Sequence, residues 1–302
     1  MDGILFLILA ALTSFVSIKL SYYGDVLSKQ SKLGSACIGG LLIASVTSLP
    51  EFITSISAVI LDNPSLSFGD ILGSNMFNIF ALSIYNLFFL RRFIFYNSKN
   101  NFLFECILLL IEYIFILLNF RILTTIVLFI LYFLYAFKVT KSKEERIESK
   151  SNEKYPLIKF IIVSIILIVL SILLTFQADK LTHIYPNISS STIGAILLGI
   201  TTSLPEVVTT YGLINYNNYN MAIANILGSN IFNFLVLSTS DLFSDGSIYN
   251  MVDNSSKMYL FGGIFITIIL VISLIKKNKL LSIILSIIMS LSYLLIWYFQ
   301  FN

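Results

Sequence analysis

The sequence predicts an all-α polytopic membrane protein of ten transmembrane helices in two inverted five-helix repeats. Three observations carry that prediction. Of 302 residues, 57% are hydrophobic and only 12% charged, with a mean hydropathy of +0.90; soluble domains carry about 25% charged residues. Apolar runs of roughly 20 residues, enough to cross a ~30 Å hydrocarbon layer at ~1.5 Å per residue, recur along the whole chain. Two motif blocks recur at a constant offset. The composition excludes water-soluble enzymes, nucleic-acid binders and secreted disulfide scaffolds. Cys37 and Cys106 both fall in apolar segments, so no disulfide framework is expected, and His183 alone builds neither a histidine metal site nor a catalytic triad. Asp2 ahead of the first apolar run, with no small-residue cleavage site after it, argues against a removed signal peptide.

The spans are read at 3–23, 35–61, 67–90, 102–119, 122–138, 157–178, 191–215, 219–241, 258–275 and 280–300. The long polar stretch 138–156 is read as a solvated linker, too short to fold alone. It separates a first repeat, 1–137, from a second, 157–302. With the N-terminus outside, fourteen Lys and Arg fall in inner loops and three (Arg121, Lys180, Lys257) in outer loops. That positive-inside bias predicts a cell-membrane protein with both termini extracellular and the linker cytoplasmic. Lys19, inside the first span, is read as snorkelling or facing protein.

The repeat rests on IGGLLIASVTSLPEFIT (38–54) against IGAILLGITTSLPEVVT (193–209), and DILGSNMFNIF (70–80) against NILGSNIFNFL (225–235). Every match lies 155 residues apart, and 17 of 44 positions are identical between 39–82 and 194–237. TSLPE and GSNxFN are not chance similarity among Leu-rich and Ile-rich spans. The motif regions are 38–82 and 193–237. Because each repeat holds an odd number of spans, the second copy must cross in the opposite direction, an arrangement common in secondary transporters with interrupted helices.

Glu51 and Glu206 lie near the middle of otherwise apolar spans, where an ionised side chain costs about 2.5–3.5 kcal/mol on insertion scales. No Lys or Arg in the second, third, seventh or eighth spans can neutralise them, so a mobile cation or a proton is the natural partner. Structural, protonated glutamates are the bland alternative. Pro50 and Pro205 lack an N–H and release the carbonyls of Val46 and Thr201. Such carbonyls are tolerated at membrane depth only where they face protein, water or an ion. Thr47 and Glu51 share one helical face at i and i+4, as do Thr202 and Glu206, with Ser48 and Ser203 beside the breaks. Ser74 and Asn78, and their mates Ser229 and Asn233, repeat that spacing in the third and eighth spans, and are read as ion ligands. Gly73, Gly228, Asn75 and Asn230 are read as helix-packing residues. The donors are all hard oxygens, which suit Ca²⁺ or Na⁺, rank Mg²⁺ lower, and disfavour Zn²⁺. One Ca²⁺, two Na⁺ or two protons would each cancel the charge of two glutamates, which makes a shared site competent for exchange.

These paired motifs resemble the alpha-repeats of the cation/calcium antiporter superfamily, particularly prokaryotic sodium/calcium exchangers. The resemblance implies a ten-helix fold in which the first and sixth helices slide, exchanging about three Na⁺ for one Ca²⁺, with no resident cofactor. It places Glu51 and Glu206 as central ligands. Hydroxyl or backbone oxygens would come from Thr47, Ser48, Thr202, Ser203, Ser74 and Ser229, with Asn78 and Asn233 at the middle. The backbone oxygens of Ala44 and Gly199 would line the outer and inner sodium sites. Val46 and Thr201 replace the family's usual glycine. Asn at both 78 and 233 leaves two carboxylates where some relatives have three. Asp70 replaces an asparagine common in the family, while the second repeat keeps Asn225; Asp70 is read as a solvated acid at a span's end or part of an ion-entry path. Glu105 and Glu112, in the fourth span, are read as lipid-edge or packing residues.

The leading function is therefore a Na⁺-driven Ca²⁺ antiporter, with H⁺-coupled Ca²⁺ exchange as the alternative that the residues alone leave open. A cation channel would more naturally assemble its filter from several subunits, whereas here one chain completes its own site as a monomeric unit in the bilayer. An intramembrane enzyme would need a Ser–His, Ser–Lys or Asp pair or an HExxH motif, and the apolar spans contain none.

Overall fold

The computed structural model describes residues 2–30, 34–89, 94–98, 102–141, 153–182, 198–250, 254–276 and 278–301, and its regular elements are all helices. In chain order these are α1 (Asp2–Gln30), α2 (Ser35–Thr47), α3 (Leu49–Ile60), α4 (Pro64–Phe88), α5 (Ile94–Asn97), α6 (Leu103–Leu118) and α7 (Arg121–Lys141). The second half holds α8 (Pro156–Thr182), α9 (Gly199–Thr202), α10 (Leu204–Asn215), α11 (Tyr219–Leu242), α12 (Asn254–Ile275) and α13 (Lys279–Phe301). Seven of them are long and apolar enough to span a membrane, namely α1, α4, α7, α8, α11, α12 and α13. The bent pair α2–α3 makes an eighth if counted as one span. The expected fourth span appears as the 16-residue α6. Positions 191–197 of the expected seventh span, most of the polar linker, His183, Lys32, Arg91, Arg92, Lys99 and Lys277 lie outside the described residues.

Proline sets the geometry of the interrupted helices. Pro50 and Pro205 each sit in the first turn of the restarting helix, where no N–H is needed. The residue at each break is a serine in the sparsely populated bridge region: Ser48 at φ −89°, ψ 6° and Ser203 at φ −79°, ψ 2°. The axis bends by 41° between α2 and α3. Just upstream, residues Ile38–Ile43 of α2 form a π-helical turn, and Leu198, 155 residues after Ile43, is π-helical too. Widened turns of this kind are rare and cluster at functional sites.

Each broken helix then folds back through the same tight turn. Asp62 (φ 57°) and Asn217 (φ 58°) adopt the left-handed conformation that short polar side chains tolerate. Asn63 and Asn218 follow, each capping the next helix by accepting the N–H of Leu66 and Met221, both at 3.3 Å. The hairpins α3–α4 and α10–α11 are thereby built alike.

Helices α4 and α11 meet at the centre, with α2, α6, α7 and α10 packed around α11 and with α12 and α13 against α4. Helix α1 lies at the edge against α8 and α10. The contact of α11 with the π turn is backbone to backbone: a Cβ on Gly228 would stand 2.0 Å from the Gly40 carbonyl oxygen. Large apolar side chains such as Leu7, Ile122 and Phe133 face outward, as a lipid-facing surface requires. Lys19 is on that outer surface, its ammonium 5.6 Å from the Phe15 ring, which fits the snorkelling reading over a protein-facing one.

Candidate ion-binding site

The two helix breaks face each other, and their side chains are exchanged. Ser48 Oγ donates to Glu206 Oε1 at 2.8 Å, and Ser203 Oγ donates to Glu51 Oε1 at 2.9 Å. All four side chains are fully buried. Each glutamate therefore has one oxygen held by the opposite half, while its other oxygen, Oε2 in both cases, has no hydrogen-bond partner. An unsatisfied buried carboxylate oxygen is costly unless a cation or proton meets it.

The neighbouring helices repeat the pattern in neutral groups. Asn75 Nδ2 donates to the Asn230 carbonyl at 3.2 Å, and Asn230 Nδ2 returns the bond to the Asn75 carbonyl at 2.9 Å. Asn78 Nδ2 donates to Asn230 Oδ1 at 3.0 Å, and Asn233 Nδ2 to Asn75 Oδ1 at 2.9 Å. This clasp joins α4 to α11 and supports the packing role read for Asn75 and Asn230. It also commits the amide nitrogens of Asn78 and Asn233, leaving both Oδ1 atoms buried and unpartnered. Two carboxylate and two amide oxygens, in 155-residue pairs, are thus free to accept a cation. Among the described residues no group of three or more His, Cys, Asp or Glu side chains gathers as a metal site. The donor set is two acids supplemented by neutral oxygens, and it suits a hard cation.

The hydroxyls are less symmetric. Ser74 Oγ donates to the Gly199 carbonyl at 3.2 Å and lies 3.4 Å from Thr202 Oγ1, whereas its mate Ser229 Oγ has no partner. Thr47 Oγ1 faces the carbonyls of Ile43 and Ala44 at 3.1 and 3.2 Å on its own helix. Thr202 Oγ1 faces the Leu198 carbonyl at 3.0 Å and Asp70 Oδ1 at 3.2 Å. The carbonyls of Ala44 and Gly199 also accept the N–H of Ser48 and Ser203 at 3.0 and 3.3 Å. All twelve candidate ligands are fully or almost fully buried, with Ala44 and Gly199 at the two breaks.

Asp70 corrects the sequence reading. It is not solvated: it is fully buried, accepting from Ser55 Oγ at 3.3 Å through Oδ2 as well as from Thr202. Glu112 also departs from a lipid-edge position. It is fully buried on α6 with both carboxylate oxygens unpartnered, while Glu105 lies in the first turn of that helix, 3.6 Å from Lys138 Nζ. Tyr85, which sequence reasoning passed over, ties α4 to α10 by donating to the Val207 carbonyl at 2.9 Å. The one sequence signal for Asp70 was its mismatch with Asn225.

Comparison with known proteins bears on the fold and the family. The chain is 26% identical to the membrane protein MJ0091 of Methanocaldococcus jannaschii over 224 residues, covering 70% of this chain and 74% of that one. It is 27% identical to the inner membrane protein YrbG of Escherichia coli over 259 residues, 76% of each. The fold superposes on the sodium-calcium exchanger NCX_Mj soaked with 10 mM Na⁺ and zero Ca²⁺ with a TM-score of 0.74, at 22% identity and 97% coverage of both chains. Against the same protein soaked without Na⁺ and Ca²⁺ the TM-score is 0.66, at 21% identity, over 95% of this chain and 97% of that one. The match to the sodium/calcium exchanger protein family runs through residues 2–141 and 155–302, both motif blocks included, so this multi-pass membrane protein belongs to that family of ion antiporters and is not an enzyme.

Proposed function

We propose that the chain exchanges Na⁺ for Ca²⁺ by alternating access at the site between the two helix breaks. The observation that carries this reading is the pair of buried glutamates, each held by the opposite half through one oxygen and unsatisfied at the other. One Ca²⁺ or two Na⁺ would cancel their charge equally well, so loading one ion displaces the other. Ca²⁺ takes Glu51, Glu206, Asn78 and Asn233 at the centre. Na⁺ sites flank it, one drawing on Ser74, Gly199, Thr202 and Ser203, the other on Ala44, Thr47, Ser48 and Ser229.

The architecture around this site is ten spans in two inverted five-helix repeats, 1–137 and 157–302, with both termini outside and the 138–156 linker inside. Crossed hydrogen bonds that map onto one another by the 155-residue offset support the two-fold relation. In this reading α1 and α8, which pack on each other at the edge, slide to open the site to either side. A cavity of about 100 Å³ beside α8, lined by Thr54 and Ser57 of α3 and by Thr175 and Phe176 of α8, supplies an access route on the outer half.

The test is radioactive Ca²⁺ uptake into proteoliposomes loaded with Na⁺, against liposomes carrying only a pH gradient. Uptake that follows the Na⁺ gradient is expected. It should respond to voltage if more than two Na⁺ move per Ca²⁺, since one net charge is worth about 2.3 kcal/mol per 100 mV. Uptake that ignores Na⁺ and follows the pH gradient would select H⁺ coupling and sink the Na⁺ reading.

A further inference from the structure

The two halves of the site carry the same ligand types, yet their hydroxyls are bonded differently, and one pair of mates differs in kind. Position 70 is an acid; position 225 is an amide. Asp70 accepts from two hydroxyls: Ser55 Oγ reaches Oδ2 at 3.3 Å and Thr202 Oγ1 reaches Oδ1 at 3.2 Å. Asn225 reverses the polarity. Its Nδ2 donates to Thr210 Oγ1, the mate of Ser55, at 3.0 Å and to the Glu206 carbonyl at 3.3 Å, and its Oδ1 has no partner.

The consequences run outward from that one difference. With an acid in reach, the Thr202 hydroxyl, 3.0 Å from the Leu198 carbonyl of its own helix, has a second acceptor on a neighbouring helix, and the Gly199 carbonyl receives Ser74 at 3.2 Å and the Ser203 N–H at 3.3 Å. With an amide turned away, the Thr47 hydroxyl has the Ile43 and Ala44 carbonyls of its own helix, at 3.1 and 3.2 Å, and no acid at position 225 to accept from it, and Ser229 has no partner. A hydroxyl whose proton is taken by an acceptor outside the site turns its lone pairs toward a cation. One bonded back to its own carbonyls occupies an oxygen that the cation also needs.

We infer that Asp70 is a positioning residue for one of the two flanking sites: it gives the Thr202 hydroxyl an acceptor outside the site, turns the lone pairs of that oxygen toward the cation, and so makes the Gly199 side the stronger Na⁺ site. The inference rests on the exchange reading above. Asp70 touches no ion; it acts through Thr202. The amide at position 225 leaves the Ala44 side without the same preparation.

Na⁺-dependent thermal stabilisation of the purified full-length protein in detergent tests this without requiring transport. Asp70→Asn is expected to raise the Na⁺ concentration for half-maximal stabilisation about tenfold, the scale of one charge-assisted hydrogen bond. In a Thr202→Val background the same change is expected to shift it less than about twofold, because the hydroxyl it acts on is gone. Asn225→Asp is expected to move the midpoint the other way by drawing Thr47 off its own helix, and it carries the test if Asp70→Asn fails to fold. Equal shifts in both backgrounds would make Asp70 a remote charge and overturn the inference, as would an unchanged midpoint in Asp70→Asn or in Asn225→Asp. A wild-type protein that Ca²⁺ stabilises and Na⁺ does not would instead count against the exchange reading itself.

Discussion

Helices α11 and α1 are both apolar and long enough to span a bilayer, but 94% of the most apolar window of α11 is buried against 17% for α1. Their sequences differ in the same sense. Helix α11 carries Asn225, Gly228, Ser229, Asn230 and Asn233 among its apolar residues; α1 is a plain hydrophobic rod with polar groups mainly toward one side. In a membrane, lipid is as good a partner for Leu as protein is, so apolar residues alone do not pull a helix to the middle. Small residues and buried amides do. Depth in this bundle follows from what lipid cannot satisfy.

That contrast sets the order of expected effects. The largest belongs to the centre: Glu51→Gln or Glu206→Gln removes one of two negative charges facing the cargo. Each should insert and purify as a monodisperse protein, because an amide is cheaper than a carboxylate at that depth. Each should lose Ca²⁺ exchange by more than about 100-fold, the scale of breaking a buried charge pair. Near-normal exchange in either would move the site elsewhere and leave the central helices as mere packing.

Next comes the backbone contact of α11. Gly228→Ala would place a methyl 2.0 Å from the Gly40 carbonyl oxygen, and backbone cannot swing aside. A loss of about 3 kcal/mol is expected, read as a lower unfolding temperature in detergent. Asn75→Ala should follow at roughly 2 kcal/mol, since it strips the bonds to the Asn230 carbonyl and from Asn233. At the other end of the scale, Leu7→Ala on the outward face of α1 should stay within about 0.5 kcal/mol. A large effect there would mean that α1 is covered by protein, not lipid.

Much of this was readable in the residues. Prolines 50 and 205 locate the helix breaks, the 155-residue offset pairs the ligands, and the absence of a basic residue in those spans isolates the glutamates. What the sequence could not reveal is pairing across the halves. Nothing in TSLPE states that Ser48 holds Glu206 and not its neighbour Glu51, because that depends on how two bent helices meet. The same blindness applies to Asp70, whose acidity suggests solvent until Ser55 and Thr202 are seen around it. Arg121 looked like one more outer-loop charge, yet it braces the α7–α11 contact through Asp241 at 3.3 Å and the Ser244 carbonyl at 2.8 Å. The π turn at Ile38–Ile43 carries no composition signal at all.

The crossed serine–glutamate bonds also impose an order in time. Ser203 is 152 residues beyond Glu51, and Glu206 is 158 beyond Ser48. At about 5–20 residues per second of synthesis, roughly 8 to 30 s separate the two halves of each bond. Throughout that interval the first half sits in the bilayer with an acid that has no partner. Neither half is a finished protein, and quality control that recognises exposed intramembrane acids has a window in which to act on any chain whose second half is late or defective.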